Sequence, residues 1–402
     1  AGLNASWNTF ESTFVGYRAG YSLSGNNTRN TFIGSAAGLN FTSGGSNTFV
    51  GSASGIVSGS NNIIVGSSNG GNLSASSRNI LIGNNISIAV TASLNDTTIV
   101  GYQAGYANQA SQNTFIGSSA GGSNVSGTEN IFIGYRSAAS NVMGGQNVVI
   151  GNSAGSDGAL VNSVLIGYDA GSASNGATST NNVFVGSASG FANTTGSNNT
   201  FLGYQAGILN TSGSNNIIIG QNMGLPSGTQ SNSLSIANLI YGTGIDGSLS
   251  TVSTGNIGIG TTTPTARLAI QNNVATKTIL SLRDFSNQSA PQIVLLDSSG
   301  FESARIHSSS TQLFIGYRTG NANTSGSDNT FIGQNAGVAN TSGSLNTFIG
   351  STAGFQNTTG NFNAFFGKNA GFVNSSGGSN SFFGYAAGQA SNSNYNSLDR
   401  KS

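Results

Sequence analysis

Residues 346 to 372 read NTFIGSTAGFQNTTGNFNAFFGKNAGF, a phrase that repeats itself after 17 residues. Asn346-Thr-Phe-Ile-Gly350 returns as Asn363-Ala-Phe-Phe-Gly367, and Ala353-Gly354 returns as Ala370-Gly371. The motif glycine falls at 16, 34, 51, 66, 83, 101, 117, 134, 151, 167, 186, 203 and 220, and resumes at 316, 333, 350, 367 and 384. Steps within each block run from 15 to 19 residues. Leu234-Ser235-Ile236-Ala237 is one further, degraded copy. Such a period marks a repeat architecture, and no other feature limits the fold as tightly.

Below, positions are counted from the motif glycine. Three β-formers at −3 to −1, bounded by Gly, Ser and Asn, predict a short strand between turns. A helix is excluded, because no segment sustains a 3.6-residue period and glycine recurs too often. One circuit of strands and turns per 17 residues is a coil of a parallel β-solenoid, or β-roll. Each coil stacks on the next at about 4.8 Å. The expected fold class is all-β, with solenoid blocks at 1–237 and 313–402.

Residues 238–312 break the period. Arg267, Lys277, Arg283, Asp284, Asp297, Glu302 and Arg305 concentrate charge there, together with Pro264 and Pro291. A separate small β-module is expected over this stretch.

Side chains alternate between the faces of a strand, so −3 and −1 share one face and −2 takes the other. Pairs such as Ile63 and Val65, Ile80 and Ile82, or Val148 and Ile150 suggest that the −3/−1 face is the coil interior. The −2 column then points outward: Phe14, Phe32, Phe49, Phe115, Phe132, Phe184, Phe201, Phe314, Phe331, Phe348, Phe365 and Phe382, with Ile, Leu or Val between. An outward apolar stripe of that length exceeds what a monomer tolerates. These phenylalanines are therefore expected to form the interface of a homotrimer, the alternative being a thick coil with two internal layers. The −4 column (Asn30, Asn47, Asn62, Asn79, Asn113, Asn130, Asn147, Asn329, Asn346, Asn363, Asn380) reads as an amide ladder that closes each turn.

Only 6% of residues are charged, against about 25% in ordinary domains, and the net charge is +1. That balance leaves no basic footprint for nucleic acid. No apolar run reaches a membrane span, so no membrane insertion by this chain is expected. Without cysteine there are no disulfides or thiolate sites. Beginning at Ala1, the sequence reads as a processed or excised product.

Carboxylate pairs that could serve hydrolysis (Asp157 with Asp169, Asp284 with Asp297, Asp297 with Glu302) recur with no other acid–base residues. His307 stands without a patterned Ser or Asp partner. The reading is a non-enzyme with no cofactor and no metal. Asn-x-Ser/Thr sequons recur at Asn193, Asn210, Asn323, Asn340, Asn357 and Asn374. They are favoured as tight turns over glycan acceptors, which would crowd at coil spacing. Just after the motif glycine, Tyr17-Arg18, Tyr135-Arg136 and Tyr317-Arg318 are the candidate surface-recognition residues, with Tyr102, Tyr168, Tyr204 and Tyr385 in the same column.

NSVLIG at 162–167 resembles the repeat of trimeric autotransporter adhesin heads, a trimeric left-handed parallel β-roll. Copies like NTFIGYQAG resemble repeats of phage tail fibres and bacterial surface fibres. LIYGTGIDG at 239–247 with GNIGIGTTTPTARLAI at 255–270 resembles the neck that joins such repeats to further modules. The resemblance implies a trimeric extracellular fibre on a cell surface or virion, binding itself and a surface glycan or protein receptor. The alternatives are a head-to-tail filament subunit and a tail fibre that binds host glycans. The sequence shows no cap at either end of the coils, so both ends are expected to be open to stacking.

Overall fold

The structure is a computed structural model that describes residues 9–70, 73–87, 93–173, 179–247, 251–271, 293–296, 302–309 and 312–399. Among the described residues there is no helix, and they form a parallel β-solenoid of about 19 turns with about 17 residues per turn. The chain divides into two compact units, 1–279 and 280–402.

In the first unit the strands pair strictly with the copy before and after. Thr31–Ile33 lies between Thr13–Val15 and Thr48–Val50, and the series continues in register to Thr200–Leu202 and Ile217–Ile219. In the second unit Gln312–Gly316, Thr330–Ile332, Thr347–Ile349, Ala364–Phe366, Ser381–Phe383 and Ser397–Asp399 form the same parallel ladder.

The orientation of the strand is the reverse of that expected from sequence. Phe32, Phe49, Phe115, Phe132, Phe201, Phe331, Phe348, Phe365 and Phe382 are fully buried within one chain; Phe184 and Phe314 are nearly so, and Phe14 is half-buried at the first coil. They are the solenoid core and cannot form a subunit interface. Successive rings stack face to face, as in Phe331–Phe348 at 4.7 Å and 4° or Phe365–Phe382 at 4.9 Å and 9°. The −3/−1 residues face outward instead: Ile63, Ile131 and Val183 are 43%, 41% and 38% exposed. Neither the outward phenylalanine stripe nor a doubly layered coil is present.

The physical reason is room. A 17-residue circuit encloses one bulky side chain per strand, at −2, faced by Ala at +3. Ala336, Ala353 and Ala370 are fully buried there. The glycine at +4 is needed beside it. Gly354 has φ +59, and a Cβ on it would lie 2.5 Å from the Phe348 ring. β-Branched residues at −3 and −1 reflect strand preference and mutual cover along the ladder rather than an interior.

The parallel order stops at the edges of the interrupting segment. Ile240–Thr243 pairs antiparallel with Ser233–Ile236 and with Ile257–Ile259, which pairs parallel with Leu268–Ile270. These strands extend the first sheet beyond Ile217–Ile219, and among the described residues Leu268–Ile270 pairs on one side alone. In the second unit, Ile293–Leu296 and Glu302–Ser309 form an antiparallel pair that adds to Gln312–Gly316. Much of the expected module, including Lys277, Arg283, Asp284, Pro291 and Asp297, lies outside the described residues. Within the neck-like segment, Asp246 accepts both the main-chain N–H (2.8 Å) and the hydroxyl (2.7 Å) of Thr254. Those bonds hold its carboxyl below the usual range. Arg267 Nη1 donates to the Ser253 and Gly255 carbonyls at 3.0 and 2.6 Å.

Candidate functional surfaces

Two amide columns run inside the coils. In the −4 column, the Asn346 main-chain N–H donates to Asn329 Oδ1 at 3.0 Å, and its Nδ2 donates to the Gly360 carbonyl at 2.8 Å. Asn346 Oδ1 in turn accepts the Asn363 N–H at 3.0 Å. The same set recurs at Asn30, Asn47, Asn62 and Asn79 in the first unit. These amides are buried, and the bonds tie each turn to the coils before and after it.

Sequence reading missed the second column, at +7. It is apolar in three early coils, where Leu23, Phe41 and Leu73 are buried, and is asparagine at 108, 124, 141, 193, 210, 323, 340, 357 and 374. Asn340 Nδ2 donates to Asn323 Oδ1 at 2.9 Å and to the Gly343 carbonyl at 2.9 Å, and Asn357 Nδ2 repeats the pattern onto Asn340. These are the sequon asparagines. Asn193, Asn210, Asn340, Asn357 and Asn374 are buried with the amide turned inward, so these five present no nitrogen to a glycan, whereas Asn323 is half-buried. The detectable signal was the fixed three-residue step to the next glycine, Asn340 to Gly343 and Asn357 to Gly360, which the amide bridges.

Removing one rung tests the ladder. Asn346→Ala strips the partner from the buried Asn363 N–H and one of two from the Gly360 carbonyl, which keeps Asn357 Nδ2 at 3.2 Å. At about 1–3 kcal/mol for an orphaned buried group, a loss of roughly 1–3 kcal/mol is expected in a denaturant titration followed by far-UV signal. A loss under 1 kcal/mol would mean that water replaces the amide.

Outside the coils two surfaces remain. The first is the outward strand face. Its −1 column is aliphatic throughout the first unit, from Val15, Ile33 and Val50 to Leu202 and Ile219, and its −3 column is Thr, Ile or Val at every step. Consecutive coils place these in two straight rows roughly 60 Å long, at about 4.8 Å per step.

The second surface is the turn after the motif glycine. Tyr17 is 68% exposed, and the Arg18 guanidinium lies over the Tyr17 and Tyr21 rings at 5.2 and 5.4 Å. Tyr135 is exposed. Arg136 lines an open groove of about 410 Å³ with Gln103, Tyr106, Ser119 and Gly122. Tyr317 and Arg318 are exposed in the second unit. The first two Tyr-Arg pairs lie many coils apart along the ladder and do not converge.

No family model, curated protein or solved structure matches the chain. Of the carboxylates considered for hydrolysis, Asp157 is exposed and Asp169 half-buried, each at a turn. The side chains of Glu302 and His307 lie outside the described residues. Among the described residues no group of His, Cys, Asp or Glu is placed to hold a metal, and no helix is long and apolar enough to cross a membrane.

Proposed function

We propose that the chain is a non-enzymatic subunit of an extracellular fibre, homotrimeric, serving reach and attachment at a cell or virion surface. One observation carries the reading: an outward sheet face that is aliphatic or Thr at every step of the first unit's ladder. Uncharged rows of this length exceed the apolar patch common on monomers and approach the ~800 Å² per partner of a specific interface. The −3/−1 rows, rather than the phenylalanines, therefore supply the apolar area for self-association. Fully in-register stacking supplies rigidity, since each coil is bonded to two neighbours.

A second arrangement, head-to-tail stacking into a filament, is favoured by one detail. Among the described residues Thr13–Val15 pairs on one side alone, with Thr31–Ile33, and an unpaired strand edge is a template for another chain.

Light scattering on the full chain tests both. A mass of three times 40.2 kDa is expected. Ile116→Lys with Ile131→Lys and Ile166→Lys should give monomer with unchanged far-UV signal, because all three side chains point outward. Wild-type chain at monomer mass would overturn the trimer, whereas mass rising without limit and continuous filaments in negative stain would select the polymer.

A further inference from the structure

The outward turn of the first unit carries an order that the coil architecture does not require. Its +1 column runs Tyr102, Ser118, Tyr135, Asn152, Tyr168, Ser187, Tyr204: tyrosine on alternate coils, a small polar residue between. The register is continuous, since the strands before these turns pair one after another from Thr98–Val100 to Thr200–Leu202. Tyrosines two coils apart are therefore spaced by about 9.6 Å. All four are open to solvent, at 53%, 53%, 57% and 48% exposure.

Each tyrosine is followed by a hydrogen-bonding side chain: Gln103, Arg136, Asp169 and Gln205. Their φ values of 54°, 53°, 51° and 54° show one backbone conformation repeated at the four sites. The formal charges of Arg136 and Asp169 cancel, so the strip is neutral. At one end it adjoins the groove lined by Gln103, Tyr106, Ser119, Gly122, Arg136 and Ala139.

We propose that this strip binds an extended, neutral, β-linked polysaccharide. A tyrosine offers an apolar ring with a polar tip, which suits the C–H face and equatorial hydroxyls of a pyranose. Two coils span close to one disaccharide of an extended β-linked chain, so alternate sugars meet a ring. The sugars between meet Ser118, Asn152 and Ser187. The repeating Gln, Arg and Asp side chains supply donors and acceptors to hydroxyls, and their zero net charge gives no preference for an acidic polymer. This rests on the reading of the chain as an attachment fibre and names its ligand class.

Affinity electrophoresis of the full chain tests it, with gels containing hydroxyethylcellulose, β-1,4-xylan, polygalacturonate or dextran. Retardation is expected in the two neutral β-linked gels and not in dextran. Tyr135→Ala with Tyr168→Ala should weaken it by roughly fivefold per ring. Tyr395→Ala is the control, because that ring is 84% exposed in the second unit and stands outside the column. Retardation in polygalacturonate alone, in no gel, or unchanged in the double variant would overturn the proposal. Light scattering keeps the two readings apart. Loss of retardation at unchanged mass assigns the tyrosines to the glycan. A fall in mass assigns them to a subunit contact and overturns the proposal while leaving the fibre standing.

Discussion

Phe348→Ala is expected to lower the stability of the second unit by about 3–5 kcal/mol, without first dissociating any assembly. The ring is fully buried and stacked between Phe331 at 4.7 Å and Phe365 at 4.8 Å. Truncation leaves a gap with a ring on either side and Gly354 at its rim. Collapse is blocked, because the coils above and below are fixed by their own ladder bonds. In a one-dimensional stack the lost contacts belong to two interfaces, so the damage should spread to both neighbouring coils. The expected readout is a lower urea midpoint at unchanged oligomer mass just before the transition. A variant that keeps its midpoint but loses mass would return the phenylalanines to a subunit interface.

That experiment bears on what the sequence could tell. The period, the strand at −3 to −1 and the parallel stacking were all legible, because Asn, Gly and Ala-Gly recur at fixed offsets. The facing of the strand was not. A three-residue strand has aliphatic candidates on both sides, and pattern alone cannot say which is enclosed. Two signals pointed the right way. Thr13, Thr31, Thr48, Thr98 and Thr114 interrupt the −3 column with hydroxyls, whereas the −2 column stays apolar through every clear copy. Gly354 also follows Phe348 by six residues, a step that brings its hydrogen-only side against the ring. The +7 asparagines were seen, but as sequons and turns. Their burial depends on how the circuit folds back, which no local pattern states. The tyrosine strip was half legible: the column was visible, whereas its two-coil rhythm has meaning only once the coils are known to stack without slip.

Gly350→Ala should be more damaging still for the atoms it adds, at about 3–5 kcal/mol from one methyl group. Gly350 has φ +139, and a Cβ there would stand 2.5 Å from the Gly367 carbonyl oxygen and 2.6 Å from its carbon. Other positions show that positive φ alone is tolerated. Leu345 and Phe362 carry full side chains at φ 58 and 59, inside the left-handed helical region. The motif glycine lies well beyond that region, in backbone space open to glycine and strained by roughly 1–3 kcal/mol for other residues. Overpacking against backbone adds a similar amount, since main chain cannot rotate aside as a side chain does. Relief would require moving the next coil away, which breaks the Gly367 N–H bond to Ile349 (2.8 Å) or the Gly354 N–H bond to Ala370 (2.9 Å). Serine at the same position should cost as much as alanine, because the conflict lies at Cβ and not beyond it. The measurement is the urea midpoint of Gly350→Ala and Gly350→Ser against Phe362→Ala, whose ring is 62% exposed and whose loss should shift it little. Near-wild-type midpoints for both glycine variants would mean that adjacent coils can part at this corner. The close approach of successive glycines would then not be what fixes the stacking distance.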